Sequence, residues 1–210
     1  MLNLDFEKAP YLAAVRNLPT QISPREKEQL TRQLLVAIRD YYVHLPLKMS
    51  RYAINPIEEL ELMLGDASSS SLFNYFNKLL IIINKLRDRH TTLTLPAPWN
   101  SLAAFLPFMT EIFSDSGTQR VAISKLIAGY TNDDLEVGSV ITHWNGIPIE
   151  NFIALLATNS QGANFAASMK WAEVTLTLRS LANSIPPIED WVTLSLITPS
   201  NVHKTVSVPW

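Results

Sequence analysis

The period of the hydrophobic pattern changes near residue 90 of this chain, and this change constrains the fold more strongly than any other feature. Before that point, apolar residues recur at spacings of three and four, as they do in helices with one buried face. After it, stretches such as "TTLTLP" (91–96) alternate between apolar and polar residues, as half-buried strands do. The sequence therefore predicts an α+β fold, with a helical bundle over 1–90 and a strand-rich module with inserted helices over 91–210.

Three helices are predicted in the first part. Ser23 and Glu26 form a capping-box pattern, in which the two side chains bond to amide groups that the first helical turn leaves free. Asn55-Pro56 gives a second start signal, and a third helix follows the "DASSSS" linker (66–71). Short linkers between the three helices indicate a small bundle. The faces expected to be buried are Leu30, Leu34, Ile38 and Tyr41 in the first helix and Leu72, Phe76, Leu79, Ile83 and Leu86 in the third.

The second part is expected to start with a strand within a few residues of His90. The Asn-Gly pair at 145–146 is a strong signal for a two-residue hairpin turn, and strands are expected on both sides of the "PSN" turn (199–201). Residues 164–182 are ambiguous, because "VTLTL" within them suits a strand. A helix is the prediction for this segment, since Asn164 can cap it and its alanines favour it.

The composition excludes several classes of protein. The chain has no cysteine, so disulfides and cysteine-ligated metal sites are impossible. The net charge is −2, and no run of lysine and arginine reaches four residues, so no nucleic-acid partner is expected. Two uncharged stretches, 91–110 and 151–169, carry prolines or polar amides that make them unfit to span a bilayer, so no membrane span is expected.

The start of the chain carries acidic residues where a signal peptide needs positive ones. No signal peptide is therefore visible, and a cytoplasmic location is expected only if Met1 is the native start. Charged residues make up 17% of the chain, against about 25% in typical soluble domains. This low fraction fits either a well-packed apolar protein or one with a large face that something outside this chain normally covers.

Two segments carry a family resemblance. "LEVGSVITHWNGIPIENFI" (135–153) resembles the L-x-x-G-D-x-I-x-x-x-N-G-x-x-I signature of bacterial-type PDZ domains, and "LRDRHT" (86–91) resembles the D-x-H-T element of tail-specific (C-terminal-processing) serine peptidases. Together with the final "VPW", their order is similar to the PDZ-like region of the chlamydial protease-like activity factor group. The resemblance covers roughly residues 75–210 and implies that the strand-rich module is PDZ-like.

The resemblance to the chlamydial group also implies a role for His90 as the general base of a serine peptidase, whereas many tail-specific peptidases use a lysine on the core instead. In this family the nucleophilic serine lies on a separate α/β core, which is absent from this chain. The missing core and a peptide or protein substrate are therefore the expected partners, and no cofactor or metal is expected. Taken without the resemblance, His90 beside a helix C-terminus could instead bond to the last helix carbonyls. The carboxylate that orients it could be Asp88 or could come from the core.

The expected carboxylate-binding loop of the PDZ-like module falls near "FLPFMTEIF" (105–113). Leu106 and Phe108 are the candidate substrate-binding residues, although Pro107 between them has no amide to donate. The module could therefore serve as a docking or gating surface. Two functions remain open: the non-catalytic N-terminal and PDZ-like portion of a tail-specific-type serine endopeptidase, or a stand-alone PDZ-like binding scaffold. The chain contains no G-x-S-x-G motif, and alone it is expected to be inactive.

Overall fold

A computed structural model describes residues 10–16, 22–66 and 70–210. The prediction about the start of the chain falls largely outside these residues, and the predicted linker at 66–71 lies partly outside them. Within the described part, helices dominate the first half, and antiparallel strands with two inserted helices form the second. The predicted α+β fold class is confirmed.

Five helices precede residue 90 in the described part of the chain, two more than the sequence predicts. The predicted caps are confirmed: Ser23 Oγ accepts from the amide of Glu26, whose carboxylate accepts in return from the amide of Ser23. Asn55 Oδ1 accepts from the amide of Glu58 in the same way. The helices are α1 (Leu12–Arg16), α2 (Pro24–Val36, continued by a π-helical turn over Ala37–Tyr41), α3 (Leu45–Tyr52), α4 (Pro56–Asp66) and α5 (Leu72–Lys85).

The buried face of α2 is rotated from the predicted one. Leu30 is 39% exposed and Tyr41 is 78% exposed, so both predictions are wrong. The side chains that are buried on α2 and the π-helical turn are Lys27, Thr31, Leu35 and Ile38. Two of these are polar, and a pattern based on apolar residues assigns such positions to solvent. The π-helical turn also adds to the rotation, because each of its turns takes more residues than an α-helical turn.

A hydrogen-bond network explains why polar residues are buried on α2. Lys27 Nζ donates to the carbonyl of Ser70 at 2.6 Å, and the Tyr75 hydroxyl donates to the carbonyl of Lys27 at 2.8 Å. Thr31 Oγ1 lies 3.0 Å from the same hydroxyl. Buried polar groups are tolerated when they are paired in this way. On α5 the predicted face is confirmed, since Phe76, Leu79, Ile83 and Leu86 are buried and Leu72 packs against them.

A six-stranded antiparallel sheet forms the centre of the second half. Its order is β2, β3, β4, β7, β8, with the short β5 paired to β4. A separate two-stranded sheet pairs β1 with β6, and two helices, α6 (Ile149–Thr158) and α7 (Phe165–Val174), lie between β5 and β6 in the chain. The strands are β1 (Ala103–Phe105), β2 (Phe108–Asp115), β3 (Thr118–Leu126), β4 (Val140–Trp144), β5 (Ile147–Pro148), β6 (Leu178–Ser180), β7 (Trp191–Ile197) and β8 (His203–Pro209).

Two predictions about the second half are wrong. The segment 91–96 is not a strand, and the first strand begins at Ala103. The amide of Leu95 donates to the carbonyl of Ala182, just after β6, at 2.7 Å, and this bond holds the segment in place. The prolines that follow have no amide with which to continue the pairing. The predicted helix over 164–182 ends at Val174, because its last residues instead supply β6 for pairing with β1.

The predicted turns of the sheet are confirmed. Asn145 and Gly146 both have positive φ angles, 50° and 78°, which the tight hairpin between β4 and β5 requires. Strands β7 and β8 flank the "PSN" turn, in which Asn201 has a φ of 61°. Asn164 Oδ1 accepts from the amide of Ala167 and caps α7 as expected.

One continuous cluster of buried apolar side chains runs through the described part of the chain. Across the change in pattern, Phe76 of α5 packs edge-on against Trp99, with 5.2 Å between ring centres. The amide of Leu12 donates to the carbonyl of Trp210 at 3.1 Å and joins α1 to the end of β8. The helices and the sheet therefore share a core, and a division into domains at residue 90 stays a prediction.

Candidate functional site

The chain turns sharply after α5, and this turn carries His90. Arg87 has a left-handed φ of 49°, and Lys48 Nζ donates to its carbonyl at 3.0 Å. The carbonyls of Ile83 and Asn84 at the end of the helix accept from the amides of Leu86 and Arg87. The end of α5 is therefore closed by backbone groups rather than by the imidazole.

Asp88 is the residue that organises the turn. Its Oδ1 accepts from the backbone amide of His90 at 3.0 Å. Its Oδ2 accepts from the hydroxyl of Tyr42 at 2.9 Å and from the hydroxyl of Thr91 at 3.3 Å. The side chain is only 14% exposed. A carboxylate that holds three donors fixes both the backbone of the turn and the direction in which His90 leaves it.

The charges of this cluster follow from its hydrogen bonds. Burial by itself would raise the pKa of Asp88, but the bonds from the His90 amide, Tyr42 and Thr91 outweigh it and hold this pKa below its usual value. Burial, and then the bond to Asp88, raise the pKa of Tyr42 far above its ordinary value. At neutral pH, Asp88 is therefore an ionised acceptor and Tyr42 a protonated donor.

The side chain of His90 is 99% exposed, with its Nδ1 3.5 Å from Asp88 Oδ1. The imidazole is therefore open to solvent. A carboxylate beside Nδ1 favours the orientation in which Nε2 faces outward, and such an imidazole can accept a proton from a group that docks against it.

Two depressions flank the segment that carries His90. One, of about 310 Å³, is lined by Tyr42, Thr91 and Thr92 among others. The other is a groove of about 490 Å³ lined by Arg89 and, again, Thr92. The Arg89 guanidinium lies 3.4 Å from the ring centre of Trp171, which ties the turn to α7. His90 therefore stands on a ridge between two concave surfaces.

Leu106 and Phe108 lie apart from this cluster. Each is 1% exposed, so both side chains belong to the core. The amide of Leu106 donates to the carbonyl of Thr177, and the carbonyl of Pro107 accepts from the amide of Ile127. Neither side chain is accessible in this conformation, and their role in substrate binding stays a prediction.

Tyr42 and Trp171 are site residues that the sequence did not indicate. Tyr42 contacts Asp88 from 46 positions earlier in the chain, and Trp171 contacts Arg89 from 82 positions later. Isolated aromatic residues in a sequence give no signal of such contacts. Within the described ranges, no group of three histidine, aspartate or glutamate side chains could hold a metal ion. None of the described helices is long and apolar enough to cross a membrane.

Comparison with known proteins finds a similar fold among solved structures. No family model matches the chain, and no curated protein matches it significantly. Mature CPAF, the chlamydial protease-like activity factor, matches with a TM-score of 0.66 and 19% identity, over 89% of this chain and 34% of that one. Its complex with lactacystin matches with a TM-score of 0.63 and 20% identity, over 89% and 35%. The chain thus shares a fold with CPAF and spans about a third of its length.

Proposed function

We propose that this chain is the non-catalytic N-terminal and PDZ-like portion of a tail-specific-type serine endopeptidase. It contributes His90 as general base and a surface that guides the peptide substrate. The observation that carries the proposal is the exposed His90, held by Asp88 on a ridge, in a fold shared with about a third of CPAF. The shared fold gives a reason to expect a catalytic core elsewhere, and the ridge is where such a core would find a base.

The chemistry follows from the geometry of the turn. A serine hydroxyl on the core would lose its proton to Nε2 of His90 while the oxygen attacks the substrate carbonyl. Asp88 would hold the Nδ1 side of the ring and stabilise the imidazolium that forms. Because Asp88 is itself fixed by Tyr42 and Thr91, the direction of the imidazole would be set before the core docks.

The surface beside the ridge suits a protein partner. Tyr41 lines the smaller depression and is 78% exposed, and Val43 near it is 82% exposed. Large apolar side chains exposed side by side are typical of surfaces that bind another protein segment. In this proposal, the missing core covers them.

The test is the substitution His90→Ala in the full protein that contains the core. Activity on a fluorogenic peptide should fall by about a hundredfold or more, as expected for the loss of a general base. The melting temperature should not change, because the imidazole is almost fully exposed. His203→Ala, an exposed histidine on β8, is the matched control and should keep full activity. Full activity of His90→Ala would overturn the proposal.

A second candidate is a stand-alone PDZ-like binding scaffold without enzymatic activity. The groove beside Arg89 favours it, because a groove can bind a peptide without any nucleophile. The two candidates differ in what the gene encodes after Trp210: the first requires an α/β core with a serine. In both, the purified chain alone should not cleave casein. Cleavage abolished by changing one of its own serines would contradict both.

A further inference from the structure

The groove of about 490 Å³ beside His90 has a chemical character of its own. It lies between the end of α5, the α6–α7 region and β6. One wall is apolar, and an apolar wall of this kind fits side chains rather than a free ion. The apolar residues that line it include Leu156, Trp171, Val174, Leu178 and Ile185.

The charges of the groove are all of one sign. Arg89 and Arg179 line it, whereas none of its lining residues is an aspartate or a glutamate. The other polar lining groups are neutral amides and hydroxyls, among them Asn183 and Ser184. The wall of the groove thus contains two arginines and no acidic residue, and it would attract an anionic group.

Arg179 is a buried cation in the wall of the groove. The residue is only 6% exposed, and its Nε donates to the carbonyl of Thr175 at 3.0 Å. The guanidinium lies 5.1 Å from the ring centre of Trp210. Burial lowers the pKa of Arg179 to about 10, so it remains charged at neutral pH. Among the described residues, Glu189 attracts it from a distance, but none forms a salt bridge with it.

A charge in this position is costly unless a partner compensates it. A guanidinium holds five N–H donors, and the bond to Thr175 uses the one on Nε. The remaining donors match the two oxygens of a carboxylate, which arginine binds with high specificity. Arg179 is therefore built to receive a carboxylate that reaches into the groove.

The two-stranded sheet supplies an edge for an extended peptide. The amide of Leu106 donates to the carbonyl of Thr177, and the amide of Leu181 donates to the carbonyl of Leu102. The backbone groups of the odd-numbered residues in and beside β6 therefore face β1. Because backbone groups alternate along a strand, Leu178 directs its amide and carbonyl to the opposite edge. Leu178 also lines the groove, so an extended peptide there could bond to its amide and carbonyl. At the same edge, the carbonyl of Ser180 already accepts from the amides of Asn183 and Ser184.

The occupant is identified by these features together. We propose that this groove binds an extended peptide segment through one acidic side chain, flanked by apolar residues, with Arg179 as its anchor. A terminal carboxylate would need a run of free backbone amides, usually supplied by glycines, and no lining residue is a glycine. The inference deepens the proposed substrate-guiding role, but the binding itself does not require His90 to be catalytic.

The experiment compares three fluorescein-labelled heptapeptides on the purified chain by fluorescence anisotropy. The first has a central glutamate between leucines and blocked ends. The second has glutamine in its place, and the third has the glutamine and a free C-terminal carboxylate. The glutamate peptide should bind at least tenfold more tightly than either of the others. Equal affinities for the first two would overturn the proposal, and a preference for the third would show that the groove selects chain ends instead.

Substitutions of the groove arginines test whether the preference for the glutamate peptide arises in the groove. Arg179→Met removes the buried charge at similar volume, and it should abolish the preference for glutamate while leaving the weak binding of the glutamine peptide. Arg89→Met, at the rim, should reduce the preference and serves if the first variant does not fold. Arg32→Met, on α2, removes an exposed charge paired with Glu28 and should keep the full preference. Retained preference in both groove variants would overturn the proposal.

The outcome is distinguishable from that of the His90 test. Loss of the glutamate preference in Arg179→Met with normal binding in His90→Ala would support the groove whether or not the chain belongs to a peptidase. Failure of all three peptides to show a preference, with His90→Ala inactive in the full protein, would remove this inference and leave the proposed function intact.

Discussion

At the scale of single residues, the carboxylate of Asp88 sets the local structure of the ridge. The two oxygens of this carboxylate together accept from three donors. Replacement by asparagine keeps the shape but puts an amide donor in place of one of these oxygens. We expect Asp88→Asn to lower the free energy of unfolding by about 1–3 kcal/mol, as losses of hydrogen bonds to a charged group do. Urea denaturation would measure it, with Asp115→Asn, an exposed carboxylate, as the control. Equal effects of both variants would contradict the expectation.

The stability of the folded protein should depend on pH through Asp88. The pKa of Asp88 is lower in the folded protein than its ordinary value, which is about 3.9 in an unfolded chain. Its ionised form therefore contributes stability in full at pH values above the unfolded pKa, and this contribution is lost as the pH falls through the folded pKa. The difference in melting temperature between wild type and Asp88→Asn should be constant above about pH 5 and shrink below about pH 4. A difference that stays unchanged down to pH 3 would show that the carboxylate charge is not involved.

Residue-scale prediction from sequence worked where a local signal exists. The turn at Asn145-Gly146 and the cap at Asn164 follow from the residues themselves. Tyr42 could not be found in this way, because it acts through Asp88, 46 residues further along the chain. Arg179 could not be found either, because the groove that it lines is assembled from segments far apart in sequence. A lone tyrosine or arginine in a sequence carries no information about such a partner.

At the scale of elements, Gly162 lies close against the backbone of α7 beside the groove. A substitution at this position tests how tightly the two segments are packed. A Cβ at Gly162 would lie 2.6 Å from the backbone carbon of Ala167 and still closer to the amide nitrogen of Ser168. Gly162→Ala should therefore destabilise the protein by about 1–3 kcal/mol or more, since the helix must shift. Gly65→Ala in α4 is the matched control, because nothing lies within 4 Å of its added Cβ. It should be neutral or stabilise by up to about 1 kcal/mol.

Thermal denaturation of the two alanine variants would measure this difference. A melting temperature of Gly162→Ala equal to that of Gly65→Ala would mean that the loop before α7 moves freely. It would then also argue against a groove of fixed shape.

Element-scale prediction succeeded for segments with caps or turns and failed where tertiary pairing decides. The start of α2 is set by the bonds between Ser23 and Glu26, which are local. Whether a short alternating segment becomes a strand depends on a partner strand. Residues 91–96 alternate without finding one, whereas residues 178–180, predicted as helix, pair with β1. Periodicity alone does not contain that information.

At the scale of the whole molecule, the continuous core predicts a single unfolding transition. The chain offers two separate probes, because all five tryptophans lie in residues 99–210, whereas the first part is helical. Far-UV circular dichroism would follow mainly the helices, and tryptophan fluorescence would follow only the second part. We expect the two urea curves to coincide. Loss of the helical signal at lower urea would contradict this and support separate domains at residue 90.

The bond between Leu12 and Trp210 has a consequence for how the backbone is routed. Two positions that are nearly the whole chain apart in sequence lie side by side, so in a variant cut to residues 12–210 a short linker could join them into a covalent circle. The circle could then be opened elsewhere, for example at Gly117 in the β2–β3 hairpin, where no neighbouring atom lies within 4 Å of an added Cβ. Such a circular permutant would keep every strand pairing and would move the free ends to the far edge of the sheet.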